Sequence, residues 1–243
     1  MEYNKTHYNL LKDTCKKMEL NFTDDKYEKF NLYKDLVKEW NEKVNLTAIL
    51  DDDEIFKKHF IDSIKVYEFK PLINAKRIID IGTGAGFPGL PIKIMNDKLN
   101  ITLLDSLNKR INVLNDIVNK LELESVNLVH GRAEEYVRNK GIRESYDIAI
   151  SRAVANLTTL SEICIPYVKV GGFFIALKGP GVDEEIDIAR NCIGTLGGKI
   201  MKVVPINIED SDLKHNLVII KKVKETDLKY PRKWKQINNK PIL

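Results

Sequence analysis

Hydrophobic side chains in the first part of the chain recur at intervals of three and four positions. The clearest series consists of Tyr27, Phe30, Tyr33, Val37 and Trp40. This interval places the side chains on one face of an α-helix, which would pack against the rest of the molecule. A second, shorter series consists of Ile55, His59 and Ile64. Residues 1–70 are therefore predicted to form a helical N-terminal extension.

After Pro71, short apolar runs alternate with longer segments of helical periodicity. Five runs predict strands, namely 77–81, 101–105, 126–129, 146–150 and 173–177. Apolar stripes within 111–121, 154–163 and 182–193 predict helices that pack on the resulting sheet. Runs at 200–208 and 217–220, separated by an acidic turn at 209–212, predict a final hairpin. Because strands that alternate with helices form mostly parallel sheets, we predict an α/β, Rossmann-like fold with seven strands and helices on both faces.

Length and composition restrict the class of protein. The 243 residues suffice for one large domain with a small extension. No apolar run approaches the roughly 20 residues that cross a bilayer, and the first residues lack the layout of a signal peptide, so a cytoplasmic protein is predicted. The three cysteines and four histidines lack the spacing of a disulfide framework or a metal site. No metal is predicted.

Positive charge is concentrated at the C-terminus. The segment 221–243 holds eight Lys or Arg residues against Glu225 and Asp227, a net charge of +6. Since the whole chain carries +4, the remainder carries 4 − 6, or −2. A basic tail that also contains Tyr230 and Trp234 is typical of a segment that neutralises phosphates and stacks on bases. A solvated tail that keeps the protein soluble is the alternative.

A glycine loop follows the first predicted strand. Gly82, Gly84 and Gly86 lie in this loop, where glycine lets the backbone turn sharply and approach a ligand closely. Asp80, two residues before Gly82, separates two cofactor classes. Its carboxylate would repel the pyrophosphate of a dinucleotide, whereas S-adenosylmethionine carries an ammonium and a sulfonium group that a negative charge favours. The loop therefore predicts S-adenosylmethionine.

Asp105 ends the second predicted strand, 23 residues after Gly82. An acid at this position is placed to accept hydrogen bonds from both ribose hydroxyls of an adenosine cofactor. The alternative for Asp80 and Asp105 together is a purely local role, in which each carboxylate caps the next helix.

Further motifs lie between residues 40 and 180. They are Trp40-Asn41-Glu42-Lys43-Val44-Asn45-Leu46-Thr47, His59-Phe60-Ile61-Asp62-Ser63, the loop from Asp80 to Pro91, Asp105-Ser106-Leu107-Asn108-Lys109-Arg110, Gly131-Arg132-Ala133-Glu134, Ser151-Arg152-Ala153-Val154-Ala155 and Lys178-Gly179. In this combination the chain resembles the bacterial small-subunit (16S) ribosomal RNA guanine-N7 methyltransferases, a family also called glucose-inhibited division protein B.

The resemblance implies a class I methyltransferase fold, S-adenosylmethionine as methyl donor and N7 of a guanine in small-subunit ribosomal RNA as acceptor. Carried over position by position, the family's cofactor contacts fall on Gly82, Phe87, Ala133, Glu134 and Arg152. Together with Asp80, Gly84, Gly86 and Asp105 they form the predicted cofactor site. The implied partner is the RNA, free or in the assembled subunit, and a monomer is expected. The predicted division is 1–70 extension, 71–222 core and 223–243 basic tail.

Catalytic side chains are not predicted, because guanine N7 already carries an unprotonated lone pair and positioning should dominate the reaction. Arg152 would bind the cofactor carboxylate or an RNA phosphate, or pair with a surface acid. Arg132 and Lys178 are candidates for RNA contact, with solvated surface charge as the alternative. His59, Asp62 and Ser63 are predicted to pack or cap the junction between the extension and the glycine loop, rather than to form a hydrolase triad.

The tail departs from the family. The family's basic segment contains proline and glycine, whereas Trp234-Lys235-Gln236-Ile237-Asn238-Asn239 intervenes here. Trp234 adds a stacking group. Three other functions stay open at this point: an NAD-dependent dehydrogenase, a methyltransferase for another RNA or a small-molecule or protein acceptor, and an RNA-binding module without catalysis.

Overall fold

The computed structural model describes residues 4–152, 155–208, 211 and 213–242. Its first part is helical. The regular elements between residues 4 and 74 are α1 (Lys5–Met18), α2 (Asp24–Asn41), α3 (Asp52–Glu54), a π-helical stretch (Ile55–Ile61), α4 (Asp62–Ile64) and two 3-10 turns (Lys65–Glu68 and Lys70–Asn74). The predicted helical character of this segment is confirmed.

Local sequence explains where the two long helices begin. Asn4 caps α1, because its side chain accepts hydrogen bonds from the Thr6 and His7 amides. Thr23 caps α2 by accepting from the Lys26 amide.

Seven strands follow in the described part of the chain. They are β1 (Arg77–Ile81), β2 (Asn100–Asp105), β3 (Val126–His130), β4 (Tyr146–Arg152), β5 (Val168–Lys178), β6 (Gly198–Asn207) and β7 (Lys214–Lys222). The helices among and after them are α5 (Gly89–Met95), α6 (Asn108–Lys120), α7 (Ala133–Tyr136), α8 (Leu157–Cys164) with a 3-10 turn (Ile165–Tyr167), α9 (Val182–Thr195) and α10 (Trp234–Asn239). Every predicted strand overlaps an observed one.

The strands form one sheet in the order β3-β2-β1-β4-β5-β7-β6. Neighbours from β3 to β5 are parallel, whereas β7 runs antiparallel to both β5 and β6. The predicted mostly parallel sheet and the predicted final hairpin are thereby confirmed. Two parts of the sequence predictions, Ala153 with Val154 and most of the acidic turn at 209–212, lie outside the described residues.

Helices cover both faces of the sheet. On one face, α1, α2, α5 and α6 share a core with the strands that includes Phe30, Phe60, Ile78 and Leu103. On the other face, α7, α8, α9 and α10 pack over a second core that includes Ile79, Leu160 and Ile193. Each large buried apolar side chain contributes roughly 1.5–3 kcal/mol relative to exposure. The N-terminal helices therefore share their core with the sheet, and the division at residue 70 stays a prediction.

Candidate active site

A cavity of about 250 Å³ lies at the carboxyl ends of the first three strands. Open parallel sheets bind ligands at this edge. The cavity is lined by Ile81, Gly82, Leu104, Asp105, Ser106, Gly131, Arg132, Ala133, Glu134, Ile163 and Trp234. Four of the nine predicted cofactor contacts are in this lining, namely Gly82, Asp105, Ala133 and Glu134.

The glycine loop has a backbone conformation that other residues adopt only with strain. Gly82, Gly84 and Gly86 have φ of 74°, 61° and 99°. A Cβ at Gly86 would lie 2.6 Å from the Tyr33 hydroxyl oxygen, so glycine also permits close packing there. The Tyr33 hydroxyl donates a hydrogen bond to the Ala85 carbonyl at 2.5 Å. Helix α2 of the extension therefore holds the loop from behind.

Asp80 lies beneath this loop and is fully buried, at 0% exposure. One carboxylate oxygen, Oδ2, accepts hydrogen bonds from the Thr83 hydroxyl at 2.7 Å and the Gly89 amide at 2.9 Å. The other oxygen, Oδ1, has no hydrogen-bond partner among the residues that the structure describes. Burial raises the pKa of Asp80 to about 6, against the hydrogen bonds and the Arg152 charge, which favour the ionised form. Asp80 supports the loop and keeps one oxygen unpaired in the interior.

The Asp105 carboxylate lines the cavity and also binds its rim. Oδ1 accepts from the Leu107 amide at 2.9 Å, and Oδ2 accepts from the Gly84 amide at 3.0 Å and from Arg110 at 3.2 Å. A carboxylate offers about four acceptor positions, so these three bonds leave capacity for a ligand hydroxyl. Asp105 therefore holds the glycine loop and faces the cavity, whereas the alternative of a cap on α6 is not observed, because no side chain caps that helix. Its contact with a ribose stays a prediction.

Ala133 and Glu134 begin the short helix α7 at the opposite wall. The Ala133 carbonyl accepts a hydrogen bond from the buried Tyr167 hydroxyl at 2.6 Å, which fixes this turn. Glu134 is 6% exposed, and burial raises its pKa. A carboxyl group held at the wall of a largely apolar cavity can bind a polar edge of a planar ligand.

Phe87 and Arg152 meet outside the cavity lining. The Phe87 ring stacks on His59 with centroids 4.4 Å apart, and the Arg152 guanidinium carbon lies 5.1 Å from the Phe87 centroid. Arg152 donates to the Asp62 carboxylate at 2.8 Å and to the Lys58 carbonyl at 3.1 Å. Among the alternatives left open by the sequence, Arg152 thus pairs with an acid, and this acid is buried at 1% exposure.

The same cluster includes both His59 and His215. His215 donates from Nδ1 to Asp62 at 2.8 Å. Burial acts to raise the pKa of Asp62, but the hydrogen bonds from His215 and Arg152 outweigh it and hold that pKa below its usual value. Ser63 donates to the His59 carbonyl at 2.5 Å. The motif therefore joins the extension to the ends of β4 and β7, as a packed junction.

His59 is neutral in this environment. Burial, followed by the nearby Arg152 charge, lowers its pKa to about 3. Its Nδ1 lies 3.3 Å from Arg152 Nη2, which can only donate, so Nδ1 accepts and Nε2 carries the proton toward the Thr47 hydroxyl at 2.9 Å. Both ring nitrogens are engaged in structural contacts.

The two residues predicted as candidates for RNA contact, Lys178 and Arg132, lie in different environments. The Lys178 amine binds the Glu185 carboxylate at 2.8 Å and the Ala155 carbonyl at 2.9 Å. The alternative of a solvated Lys178 is therefore not observed. Arg132 is exposed at the cavity mouth, with its guanidinium carbon 5.6 Å from the Trp234 ring centroid. Trp234 was predicted as a stacking group, but no local signal placed it in the cavity lining.

Part of the tail's positive charge is paired within the protein. Arg232 forms a salt bridge with Glu162, and the buried Lys222 amine binds Glu144 at 2.9 Å. These two cations compensate acids within the protein, so the phosphate contact predicted for the basic tail would fall to its other Lys residues. Within the described residues, no group of three or more potential ligands is arranged to hold a metal ion, and no helix is long and apolar enough to cross a membrane.

Solved structures resemble this fold at low sequence identity. A Klebsiella pneumoniae protein with proposed O-methyltransferase activity aligns with a TM-score of 0.54 and 15% identity over 79% of this chain and 90% of its own. TrmN from Thermus thermophilus aligns with a TM-score of 0.51 and 13% identity over 69% of this chain and 53% of its own. With the strand order and the glycine loop, these similarities define a Rossmann-like methyltransferase fold.

Sequence comparison defines the family. Residues 26–223 match the GidB model, described as rRNA small subunit methyltransferase G. Proteins named ribosomal RNA small subunit methyltransferase G are 57% identical over all of both chains in Clostridium novyi (strain NT), and 58% identical over 97% of this chain and 98% of the relative in Clostridium botulinum (strain Loch Maree / Type A3). The chain belongs to the rRNA small subunit methyltransferase G family. The predicted family, fold and enzyme class are thereby confirmed.

Proposed function

We propose that this chain transfers the methyl group of S-adenosylmethionine to N7 of a guanine in small-subunit ribosomal RNA. Membership of the family supports the ribosomal RNA substrate. The observation that carries the cofactor assignment is the cavity at the strand ends, which Asp105 and Glu134 line while Asp80 lies buried behind the adjoining glycine loop. We further propose that the protein acts in the cytoplasm as a monomer. Sedimentation of the purified protein would test the monomeric state.

The residues present fit an S-adenosylmethionine molecule. Added Cβ atoms at Gly84 and Gly131 would meet nothing within 4 Å, so both glycines face open space. Oδ1 of Asp80 is buried without a hydrogen-bond partner among the described residues, and the negative charge of this carboxylate would stabilise an ammonium or sulfonium group bound at the loop. The cavity volume of about 250 Å³ is below the roughly 300–1,000 Å³ of complete ligand pockets. We therefore assign the cavity to the adenosine part and the loop toward Phe87 to the methionine part.

Within this arrangement, Asp105 would accept from the ribose hydroxyls, and Ala133 and Glu134 would hold the adenine edge. Gly82, Gly84 and Gly86 would let the backbone approach the cofactor. Arg152 would act through its contact with Phe87, since its Nη1 already binds Asp62 and Lys58 and its Nη2 lies against His59. These individual roles remain proposals.

Methyl transfer to guanine N7 requires little acid–base catalysis by the protein. The N7 lone pair forms the new N–CH₃ bond while the S–CH₃ bond breaks and its electron pair returns to sulfur, so the positive charge moves from sulfonium to guanine. No proton is removed from N7. Since His59 is neutral and hydrogen-bonded at both ring nitrogens, we assign it a positioning role. The protein would act mainly by holding the base, extruded from its stack, in line with the methyl group.

A methyl-transfer assay with a matched pair of variants tests this function. Labelled S-adenosylmethionine is incubated with small-subunit RNA and with assembled subunits, and the RNA is digested to nucleosides. In Gly131→Leu the new side chain would project into the cavity, whereas in Gly194→Leu it would project into open space from the exposed end of α9. We expect labelled 7-methylguanosine with the wild type and with Gly194→Leu, and none with Gly131→Leu.

Different failures have different meanings. Label in another nucleoside would overturn the N7 assignment and keep the methyltransferase. Cofactor binding without label in either RNA substrate would overturn the proposed acceptor. Equal activity of Gly131→Leu and the wild type would show that the cavity at the ends of β1, β2 and β3 is not the cofactor site.

A further inference from the structure

We infer that Trp234, in the C-terminal tail, is part of the cofactor site and stacks on the adenine of S-adenosylmethionine. This inference rests on the proposed function and adds a residue that the motif-based prediction of the site did not include. Its basis is that the tail is anchored to the body of the protein in a way that holds the indole at the cavity.

The first anchor is a charged pair beside α10. Arg232 donates to both oxygens of the Glu162 carboxylate, from Nε at 2.8 Å and from Nη2 at 2.6 Å. The Arg232 amide donates to the same carboxylate at 2.8 Å. Glu162 is 1% exposed on α8, so this two-pronged contact fixes the chain two residues before Trp234 to a rigid element.

The second anchor fixes the backbone that leads to α10. Arg143 donates to the carbonyls of Thr226 and Tyr230 at 2.7 and 2.8 Å, and Arg138 donates to the Pro231 carbonyl at 2.6 Å. Beyond Trp234, Ile237 is buried at 1% exposure in the core under α8. Contacts on both sides of Trp234 therefore hold this part of the tail against the sheet domain.

Trp234 supplies an aromatic wall to a cavity whose other apolar walls come from Ile81, Leu104, Ala133 and Ile163. The indole is half-buried, and the guanidinium carbon of Arg132, which also lines the cavity, lies 5.6 Å from the ring centroid. An indole that is pinned in this way can stack on a planar base without a large loss of side-chain entropy. Adenine is the planar group that the proposed cofactor brings to this cavity.

The experiment measures binding of S-adenosylhomocysteine, the demethylated product, so that no methyl transfer is needed. The chain has two tryptophans, and Trp40 bonds to Asp116 through its indole N–H. In a Trp40→Phe background Trp234 is the sole indole fluorophore. We expect saturable quenching of its fluorescence, with a dissociation constant that matches calorimetry on the wild type.

Replacing Trp234 supplies the second readout. Base–aromatic stacking contributes enough that Trp234→Ala should raise the dissociation constant roughly fivefold or more, and Trp234→Phe should retain part of the affinity. Gln236→Ala, at an exposed position of the same helix, is the control and should bind like the wild type.

Two results would overturn this inference and leave the proposed function intact. One is wild-type affinity in Trp234→Ala, together with unchanged Trp234 fluorescence on binding. The other is loss of affinity for small-subunit RNA in Trp234→Ala with unchanged product affinity, which would make Trp234 an RNA-stacking group. If the wild type itself failed to bind the product, the proposed cofactor site would fall and the inference with it.

Discussion

The buried carboxylate of Asp80 should contribute a stability penalty to the ligand-free protein that is larger at neutral pH than at mildly acidic pH. Its folded-state pKa of about 6, against 3.8 for the free side chain, corresponds to about 3 kcal/mol. Replacing Asp80 by Asn keeps the shape and an oxygen that can accept from Thr83 and Gly89, and removes the titration. The informative quantity is therefore the difference in unfolding free energy between wild type and variant as a function of pH.

The direction in which stability changes with pH follows from the raised pKa of Asp80. Below pH 3.8 the group is protonated in both states and has no effect on stability. As the pH rises from 3.8 to about 6, the unfolded chain ionises first and stability is lost. Above about pH 6 both states are ionised and the whole penalty is present. Between about pH 8 and about pH 5, on the order of 1 kcal/mol should be recovered by the wild type and not by Asp80→Asn.

Urea unfolding of the two proteins at several pH values measures this difference. Other carboxyl groups are common to both proteins, so their contributions cancel to first order. A difference in unfolding free energy that stays constant from about pH 8 to about pH 5 would refute the assignment of a raised pKa to Asp80.

Saturating S-adenosylmethionine provides a second readout. It should raise the unfolding temperature of Asp80→Asn less than that of the wild type, because its cations would lose the buried partner charge.

Three further results are expected. Asp62→Asn and Arg152→Gln each leave a buried partner uncompensated and should lower the unfolding free energy by about 3–5 kcal/mol. The double variant should lose less than the sum of the two single losses. Strictly additive losses in urea unfolding would contradict the pairing. His59→Gln should lower activity without changing the shape of the pH–rate profile, and a step near the usual histidine pKa that only the wild type shows would contradict its positioning role. Replacing both Lys233 and Lys235 by Gln should reduce the salt dependence of RNA binding by a slope of roughly 1.5, and an unchanged slope in filter binding would exclude them from phosphate contact.

Much of the fold follows from local patterns in the sequence. The run 77–81 was predicted as a strand and is β1 with the same bounds, since a short apolar run bounded by a glycine turn is sufficient to define it. The series from Tyr27 to Val37 defines the buried face of α2 for the same reason. The start of β5 was predicted wrongly. The apolar run in the sequence begins at residue 173, whereas the strand begins at Val168. Val168 pairs with Tyr146 of the neighbouring strand β4, a contact that is not local in the sequence and that extends β5 at its start.

Local patterns in the sequence were sufficient to predict the succession of strands along the chain, the glycine loop beside Asp80 and the family. These depend on side-chain periodicity, on backbone conformations that glycine permits and on motifs of adjacent residues. Only the tertiary structure decided that Asp62 pairs with Arg152, 90 residues away, and that Trp234 lies in the same cavity as Gly82. It also separated the predicted cofactor contacts into residues that line the cavity and residues that lie outside its lining. Burial and charge pairing depend on which elements the fold brings together, and a residue's own neighbours in the chain carry little of that information.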